Sequence, residues 1–391
     1  MRAGHVSGPY TNVTYLAVPA VLAGIYQLIA LVAALKKAFQ EKHRQECLFH
    51  PVSILKPVRG RDPGFYEALR SHALLDYPEY EILFGVNDPD DPARADIERL
   101  AAEFPERAIR LIESSRTMPN GKVAVLADLA REARHPVLVI NDSDIAVEED
   151  YLLRVVEGLA EPNAGLVTCL YRASGTSWPA RWEALGIATD FAGSVLVARA
   201  IGVAEFALGS TMALRSADLE RIGGFGAIGD YLADDYQLGR RITELGYRIV
   251  LAEPVVETHL PFESWGASWH HQVRWSRTIR VSRPAGYYGY VITNASMWAL
   301  VAAAAGAWPT AAACLTVRML AGVATAAMVL GDRKSARLWY LIPFRDLWGF
   351  AVWLAGLAGS TVEWRGLKLR LDREGRIMRD SGHILTKIAR R

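Results

Sequence analysis

Between Val13 and Leu35 the chain carries no charged residue. A helix needs about 20 apolar residues to cross the hydrocarbon of a bilayer, and this run is long enough. Backbone in lipid must satisfy its own hydrogen bonds, so the segment is restricted to helix. Lys36, Lys37, Lys42, His43 and Arg44 follow it at once. A secretory signal carries its positive charge before the apolar segment and a cleavage site after it. The order here is reversed. The run is therefore expected to remain as an anchor, with the residues after Leu35 on the cytoplasmic side.

A second apolar region opens at Ala285. It is uncharged to Val317, is interrupted by Arg318, continues from Met319 to Gly331, and closes on Asp332, Arg333, Lys334 and Arg337. Two crossings between about Tyr288 and Gly331 would return the chain to the cytoplasm. Residues 338–362 contain Arg345 and Asp346 and lead into the basic stretch WRGLKLRLDREGRIMRD. A further crossing would place that stretch outside, against the positive-inside rule, so an interfacial or re-entrant segment is expected. The formal net charge of +2 provides no field to gather nucleic acid. Cys47, Cys169 and Cys314 lie too far apart for a zinc site or a disulfide framework, which points to a reducing compartment. The expected division is an anchor with a basic linker over 1–45, a cytoplasmic catalytic domain over 46–284, membrane segments over 285–365 and a basic tail over 366–391.

Within the middle region, short apolar runs alternate with helix-like stretches. Val52–Leu55, Tyr80–Val86, Ala108–Ile112, Val137–Ile140, Leu166–Tyr171 and Arg248–Ala252 read as strands; 64–75, 92–104, 121–133 and 150–160 read as helices. That alternation predicts an open α/β sheet with a mostly parallel core and helices on both faces. In such sheets ligands bind beyond the carboxyl ends of the strands. PVRGRD follows the first strand, NDPDD the second and NDSD the fourth, so all three polar clusters are expected on one edge. As single features each reads equally as a solvated loop. No GxGxxG or GxxxxGK[ST] occurs, so the usual dinucleotide and P-loop fingerprints are missing.

Three constellations carry chemistry. Asp142 and Asp144, two residues apart at a strand end, suit a hard divalent ion such as Mg²⁺, which takes one or two carboxylates and completes its shell with phosphates and water. Asp234 and Asp235 precede an amphipathic helical pattern; one of them suits a helix cap and the other a general base. In HHQVRWSRTIRVSRP, Arg274, Arg277, Arg280 and Arg283 recur every three residues and form a drifting stripe on a helix. Arginine suits bidentate phosphate recognition, and the same stripe suits anionic lipid headgroups.

In this order, SILKPVRGRDP (53–63), FGVNDPDDPA (84–93), VINDSDIAV (139–147), LADDYQLG (232–239) and HQVRW (271–275) resemble the ceramide glucosyltransferase family. These are membrane glycosyltransferases of GT-A fold, a Rossmann-like sheet flanked by transmembrane helices, and they include bacterial enzymes and the related hopanoid glycosyltransferases. The resemblance runs from about Val13 to about Arg370. It implies that Asp88 contacts the nucleotide base, that Asp142 serves the donor and the metal, and that Asp144 is the metal-side carboxylate for Mg²⁺ or Mn²⁺. By the same likeness Asp235 is the catalytic base, and Lys122 in NGKV lies near the nucleotide. Pro57, Gly60, Asp62, Gly209, Asp234 and Gln272 are further expected contacts to the UDP-sugar. Arg274 and Trp275 match the end of a (Q/R)xxRW motif, whose first position here is His271. A neutral imidazole still donates a hydrogen bond to a diphosphate but brings less positive charge than arginine.

The implied reaction is a single inverting displacement. Metal and basic groups offset charge on the departing UDP while Asp235 takes the proton of the attacking hydroxyl. Residues 177–208 are unusually apolar, read either as buried core or as a bilayer-facing surface that guides a lipid hydroxyl. UDP-glucose and ceramide, giving glucosylceramide, are the expected pair. A hopanoid acceptor with UDP-GlcNAc is the alternative, and a processive polysaccharide synthase or a silent membrane scaffold stands further off. The expected setting is a multi-pass protein of a bacterial inner membrane or its equivalent, with no nucleic-acid partner and no obligate protein partner.

Overall fold

The computed structural model describes residues 9–40, 49–364 and 367–378. Lys42, His43, Arg44, Cys47 and the end of the basic tail lie outside the described residues. Two compact units interleave along the chain: one comprises His43–Tyr171, Ala204–Pro261 and Gly359–Arg391, the other Met1–Lys42, Arg172–Val203 and Phe262–Ala358. Residues 172–203 and 262–284, which sequence placed within one catalytic span, thus group with the apolar helices.

The first unit is built on an eight-stranded sheet. Its strands are β1 (Val52–Pro57), β2 (Tyr80–Val86), β3 (Ala108–Glu113), β4 (Val137–Ile140), β5 (Ile145–Ala146), β6 (Ala164–Ser174), β7 (Met212–Arg215) and β8 (Arg248–His259), in the order β3-β2-β1-β4-β7-β6-β8-β5. All six expected strands form. β3, β2, β1 and β4 make the parallel core, with Leu55 opposite Leu83 on one side and Ile140 on the other. Beyond β4 the direction reverses, because β7 runs antiparallel to both β4 and β6. Every residue of β2 and β4 is buried, as strands covered on both faces require.

The connecting helices are Phe65–Ala73, Ala93–Glu103, Gly121–Glu132 and Tyr151–Ala160, each within a residue or two of its expected bounds. The last of these buries Tyr151, Leu152, Val155, Val156 and Leu159, the stripe a helix presents to a sheet. Leu55, Leu83, Leu126, Leu138, Ile140 and Leu214 meet in the core. Burying each such side chain contributes about 1.5–3 kcal/mol. The end of the expected membrane region and part of the expected basic tail fold instead as strands: β9 (Thr361–Trp364), β10 (Leu367–Leu371) and β11 (Ile377–Met378) form an antiparallel ribbon. The ribbon is fastened to the loop before Asp234, where Ile377 N–H donates to Asp230 O at 2.7 Å and Leu232 N–H donates to Gly375 O at 3.3 Å.

The second unit is helical. Two of its helical stretches, Tyr15–Ala38 and Trp308–Val329, are long and apolar enough to cross a membrane. Their packing is the reverse of a soluble core. On the first helix Leu16, Val21, Ile25 and Leu28 are about half exposed (50, 48, 51 and 51%), whereas Ala20, Ala23 and Ala34 are at 0%. The small residues make the helix contacts, with Ala20 and Ala23 packing against Ala295, Ala299, Ala302, Ala311 and Cys314. The uncharged region after Ala285 breaks at Asn294, whose side chain caps the Ala295–Ala304 helix, so it enters as shorter pieces before Trp308. Arg318, the interruption, is 2% exposed and bound through two nitrogens to Asp346, at 2.9 and 2.7 Å. Residues 177–208 supply the Trp178–Gly186 and Ala192–Ala200 helices, and Val197 packs with Ala30 and Ala321.

Candidate active site

The parallel register of β2, β1 and β4 brings the loops after Val86, Pro57 and Ile140 to the carboxyl edge of one sheet, where the three polar clusters were expected. In the loop after Pro57, Gly60 has φ of 72°, a left-handed conformation natural to glycine, and its N–H donates to Asp91 Oδ2 at 2.8 Å. That bond ties the first polar loop to the second. Asp88 is exposed and accepts from the N–H of Asp90 at 3.0 Å, closing its own turn. Asp62 is near enough that its charge disfavours ionisation of Asp144.

The fourth strand ends in Asn141-Asp142-Ser143-Asp144, and buried side chains fix that turn from beneath. Asn141 is fully buried and donates to Ser210 O at 2.8 Å and to Tyr151 Oη at 2.9 Å, joining the turn to the Gly209–Thr211 segment. Lys56, at 0% exposure, donates through Nζ to the main-chain oxygens of Asp142 at 3.1 Å and Ile145 at 3.4 Å. Burial draws the Lys56 ammonium down to about 7, against the opposing pull of Asp144 and Asp142.

Above the turn, Lys122 joins two of the expected aspartates. Its Nζ lies 2.7 Å from Asp142 Oδ1 and 3.0 Å from Asp234 Oδ2. Burial opposes the lysine charge, but Asp142 and Asp234 outweigh it and hold the ammonium above the usual lysine range. Asp235 lies in the first turn of the Asp234–Glu244 helix and accepts from Gly209 N–H at 3.1 Å and Tyr236 N–H at 2.7 Å. Its carboxyl is pushed up to about 6, first by burial and then by the charge on Asp234. A methyl group at Gly209 would come 3.4 Å from Asp235, 3.6 Å from Asp142 and 3.8 Å from Lys122, so the missing side chain leaves room where these groups converge.

Asn120 holds Lys122 and the aspartate loop together. Its side chain accepts from the N–H groups of Lys122 (3.0 Å) and Val123 (3.3 Å), and donates to Tyr231 O at 2.8 Å. Its own N–H donates to Gly229 O at 2.9 Å. Asn120→Ala is expected to cost about 2–4 kcal/mol, since it removes a helix cap and strands the part-buried Tyr231 carbonyl. A lowered thermal midpoint in detergent checks this, and an unchanged midpoint contradicts it.

The carboxylates also bear on the expected metal. Asp144 is raised above the usual carboxylate range by burial and then by the charges of Asp142 and Asp62, and it accepts the hydroxyl of Thr258. A cation would relieve that repulsion. Among the described residues no group of three or more His, Cys, Asp or Glu side chains is arranged to hold a metal ion. Two carboxylate oxygen donors nevertheless fit Mg²⁺ or Mn²⁺, which draw much of their shell from phosphates and water.

The remaining expected residues lie on the Trp265–Ser282 helix of the helical unit. His271 packs against Trp275 with ring centroids 4.8 Å apart, and Trp275 against Phe191 at 6.2 Å. Gln272 is buried and accepts from Arg345 Nη2 at 2.9 Å and Trp348 Nε1 at 3.1 Å, so its carbonyl is committed inside the unit. Of the arginine stripe, Arg280 donates to Leu357 O at 2.8 Å, and Arg283 ends the helix.

The family model for glycosyl transferase family 21 matches residues 13–377. The chain belongs to that family. The chain is similar to ceramide glucosyltransferases 3 and 1 of Caenorhabditis elegans, which are 26% identical over 56% of it and 27% identical over 59% of it. The ceramide glucosyltransferase of Candida albicans is 31% identical over 29% of this chain. The chain spans about half the length of the two nematode relatives, 48% and 51%. In structure it is similar to the mannosyltransferase of Pyrobaculum calidifontis in complex with GDP-Man and Mn²⁺, with a TM-score of 0.55 at 21% identity, covering 88% of this chain and 97% of that one. That likeness carries the GT-A fold.

Proposed function

We propose that this family 21 glycosyltransferase moves a sugar from a UDP-sugar to a lipid hydroxyl, with UDP-glucose and ceramide as the pair. The observation that carries the reading is the convergence of Lys122, Asp142, Asp234 and Asp235 on the space beside Gly209, at the carboxyl edge of a parallel sheet. The ceramide glucosyltransferase relatives supply the acceptor class, and the small-inward, large-outward packing of the Pro9–Ala38 helix supports a membrane setting where lipid replaces water around Leu16, Val21 and Ile25.

In this reading Asp235 is the base. Held by Gly209 N–H and raised to about 6, it is ionised at neutral pH yet basic enough to take the proton of the attacking hydroxyl. Lys122 balances Asp142 and Asp234, and its ammonium is available to a diphosphate oxygen. Asp88 and Asp62 serve the nucleotide side with Pro57 and Gly60. Asp142 and Asp144 would hold the divalent ion, which when bound offsets charge on the departing UDP. A single displacement inverts the anomeric carbon, so an α-linked donor gives a β-linked lipid.

The test is a product assay. Membranes containing the protein are incubated in turn with labelled UDP-glucose, UDP-GlcNAc and UDP-galactose, in the presence of ceramide or of a hopanoid alcohol, and the glycolipid is read by mass spectrometry. β-Glucosylceramide is the expected product. A labelled hopanoid replaces the acceptor in the proposal, and labelled polymer or no labelled lipid overturns it.

A further inference from the structure

Residues 230–233 lead directly into Asp234 and Asp235, yet they belong to no helix and no named strand, so local structure does not hold them. What holds them is found by following their main-chain hydrogen bonds. One partner is Asn120, whose side chain donates to Tyr231 O at 2.8 Å. The other is the hairpin tip between β10 and β11: Ile377 N–H donates to Asp230 O at 2.7 Å, and Leu232 N–H donates to Gly375 O at 3.3 Å. The tip is closed by its own residues. Asp372 Oδ1 accepts from the N–H groups of Glu374 (2.9 Å) and Arg376 (2.8 Å), and Asp372 N–H donates to Arg376 O at 3.0 Å. Gly375 has φ of 83°, which glycine adopts without strain. Arg376 then reaches the same segment: its Nε donates to Tyr231 Oη at 3.1 Å, and its guanidinium lies 5.5 Å from the centroid of that ring.

We propose that residues 372–377 are a clamp on the segment that presents Asp235, and that Arg376 is a positioning residue for that base. The inference rests on the reading of Asp235 as the base of a UDP-sugar transferase. A base acts only within hydrogen-bond reach of the hydroxyl it deprotonates, and a misplacement of about 1 Å costs up to about 100-fold. Gly209 N–H holds the carboxyl itself at 3.1 Å. The chain that delivers the carboxyl is held by Asn120 and by the hairpin tip, whose bonds fall on residues 230–232, just before the base. In sequence WRGLKLRLDREGRIMRD reads as a basic stretch near a membrane. In the fold one of its arginines has a specific partner beside the candidate active site, and the hairpin around that arginine is shaped to meet it.

The experiment combines a double-mutant cycle with a readout independent of turnover. Amide hydrogen exchange of the full-length protein is expected to show the Leu232 and Ile377 N–H groups protected in the wild type. Both are expected to exchange about tenfold faster or more in Arg376→Ala, and in Asp372→Ala, which opens the tip. In the product assay R376A is expected to lower kcat about 10–100-fold with KM for the UDP-sugar within about twofold, because the base moves while the donor contacts stay. In the presence of D235N the same R376A change is expected to add less than about twofold, because the group it positions is gone. Unprotected Leu232 and Ile377 amides in the wild type, an unchanged kcat in R376A, a loss confined to KM, or equal losses with and without D235N overturn the proposal. If R376A fails to accumulate, Tyr231→Phe, which deletes the hydroxyl that Arg376 meets and keeps the ring, is read in the same cycle against the same outcomes. Absence of any wild-type transfer would sink the transferase reading, while the exchange rates still decide whether the tip clamps the segment.

Discussion

Asp235→Asn is expected to transfer sugar at about a hundredth of the wild-type rate or less, while binding the UDP-sugar within a few-fold of wild type. The substitution removes a base and one of the two oxygens that accept from backbone N–H groups. The side chain of Asp235 accepts from Gly209 and Tyr236 N–H groups, and the carboxamide keeps one of the two acceptors. It also removes a charge beside Asp234, whose repulsion helps raise the carboxyl. The fold is therefore expected to persist, and a thermal midpoint within a few degrees of wild type checks it. Transfer above a tenth of the wild-type rate would take Asp235 out of the base role. The same group predicts the acid limb of the pH profile. The base acts when ionised, and its carboxyl sits at about 6, so kcat/KM falls as pH drops through 6. At pH 5 it is expected at about a tenth of its plateau, and this limb is expected to vanish from the residual activity of D235N.

Asp142 and Asp144 stand just past an apolar run that forms β4, and Asp234 and Asp235 stand at the head of an amphipathic pattern that forms the helix after Ala233. The apolar continuity of β1, β2 and β4 announced burial on both faces, which fixed the parallel core. β5 is too short, at two residues, to show a period, and β7 (MALR) is cut off by Arg215 and lacks the largely β-branched apolar run that marks β4. Their antiparallel pairing depends on partners far away in the chain, Thr258 for Ile145 and Met212 for Ile140, as does the Asn141–Ser210 bond across 69 residues. Asn120 did leave a trace, since asparagine before a helix-forming stretch is a cap signal, although its second bond to Tyr231 is invisible locally. Lys56 and Glu183 left none: lysine and glutamate ordinarily read as surface residues, and only the fold shows them buried. Apolar character alone leaves residues 177–208 open between core and bilayer face; the fold joins 177–203 to the apolar helices through contacts such as Val197 with Ala30, and places 204–208 with the sheet unit.

The second large effect concerns the metal. Excess chelator is expected to reduce transfer by about a hundredfold or more, as loss of a charge-stabilising ion does, with Mn²⁺ or Mg²⁺ restoring it. Asp144→Asn is expected to lose as much, and no added metal should rescue it. The electrostatics separate this from misfolding. In the protein Asp144 is held above the usual carboxylate range by burial and by Asp142 and Asp62, so removing its charge relieves strain rather than adding it. The asparagine oxygen can still accept the Thr258 hydroxyl. Without metal, D144N is therefore expected to melt no lower than wild type. Adding Mn²⁺ then divides the two: an ion bound only by the folded state stabilises by about 2.7 kcal/mol at a hundred times its Kd, so the wild-type midpoint rises and that of D144N stays still. Equal rises in both would move the ion away from Asp144, and full activity in chelator would remove it from the reaction.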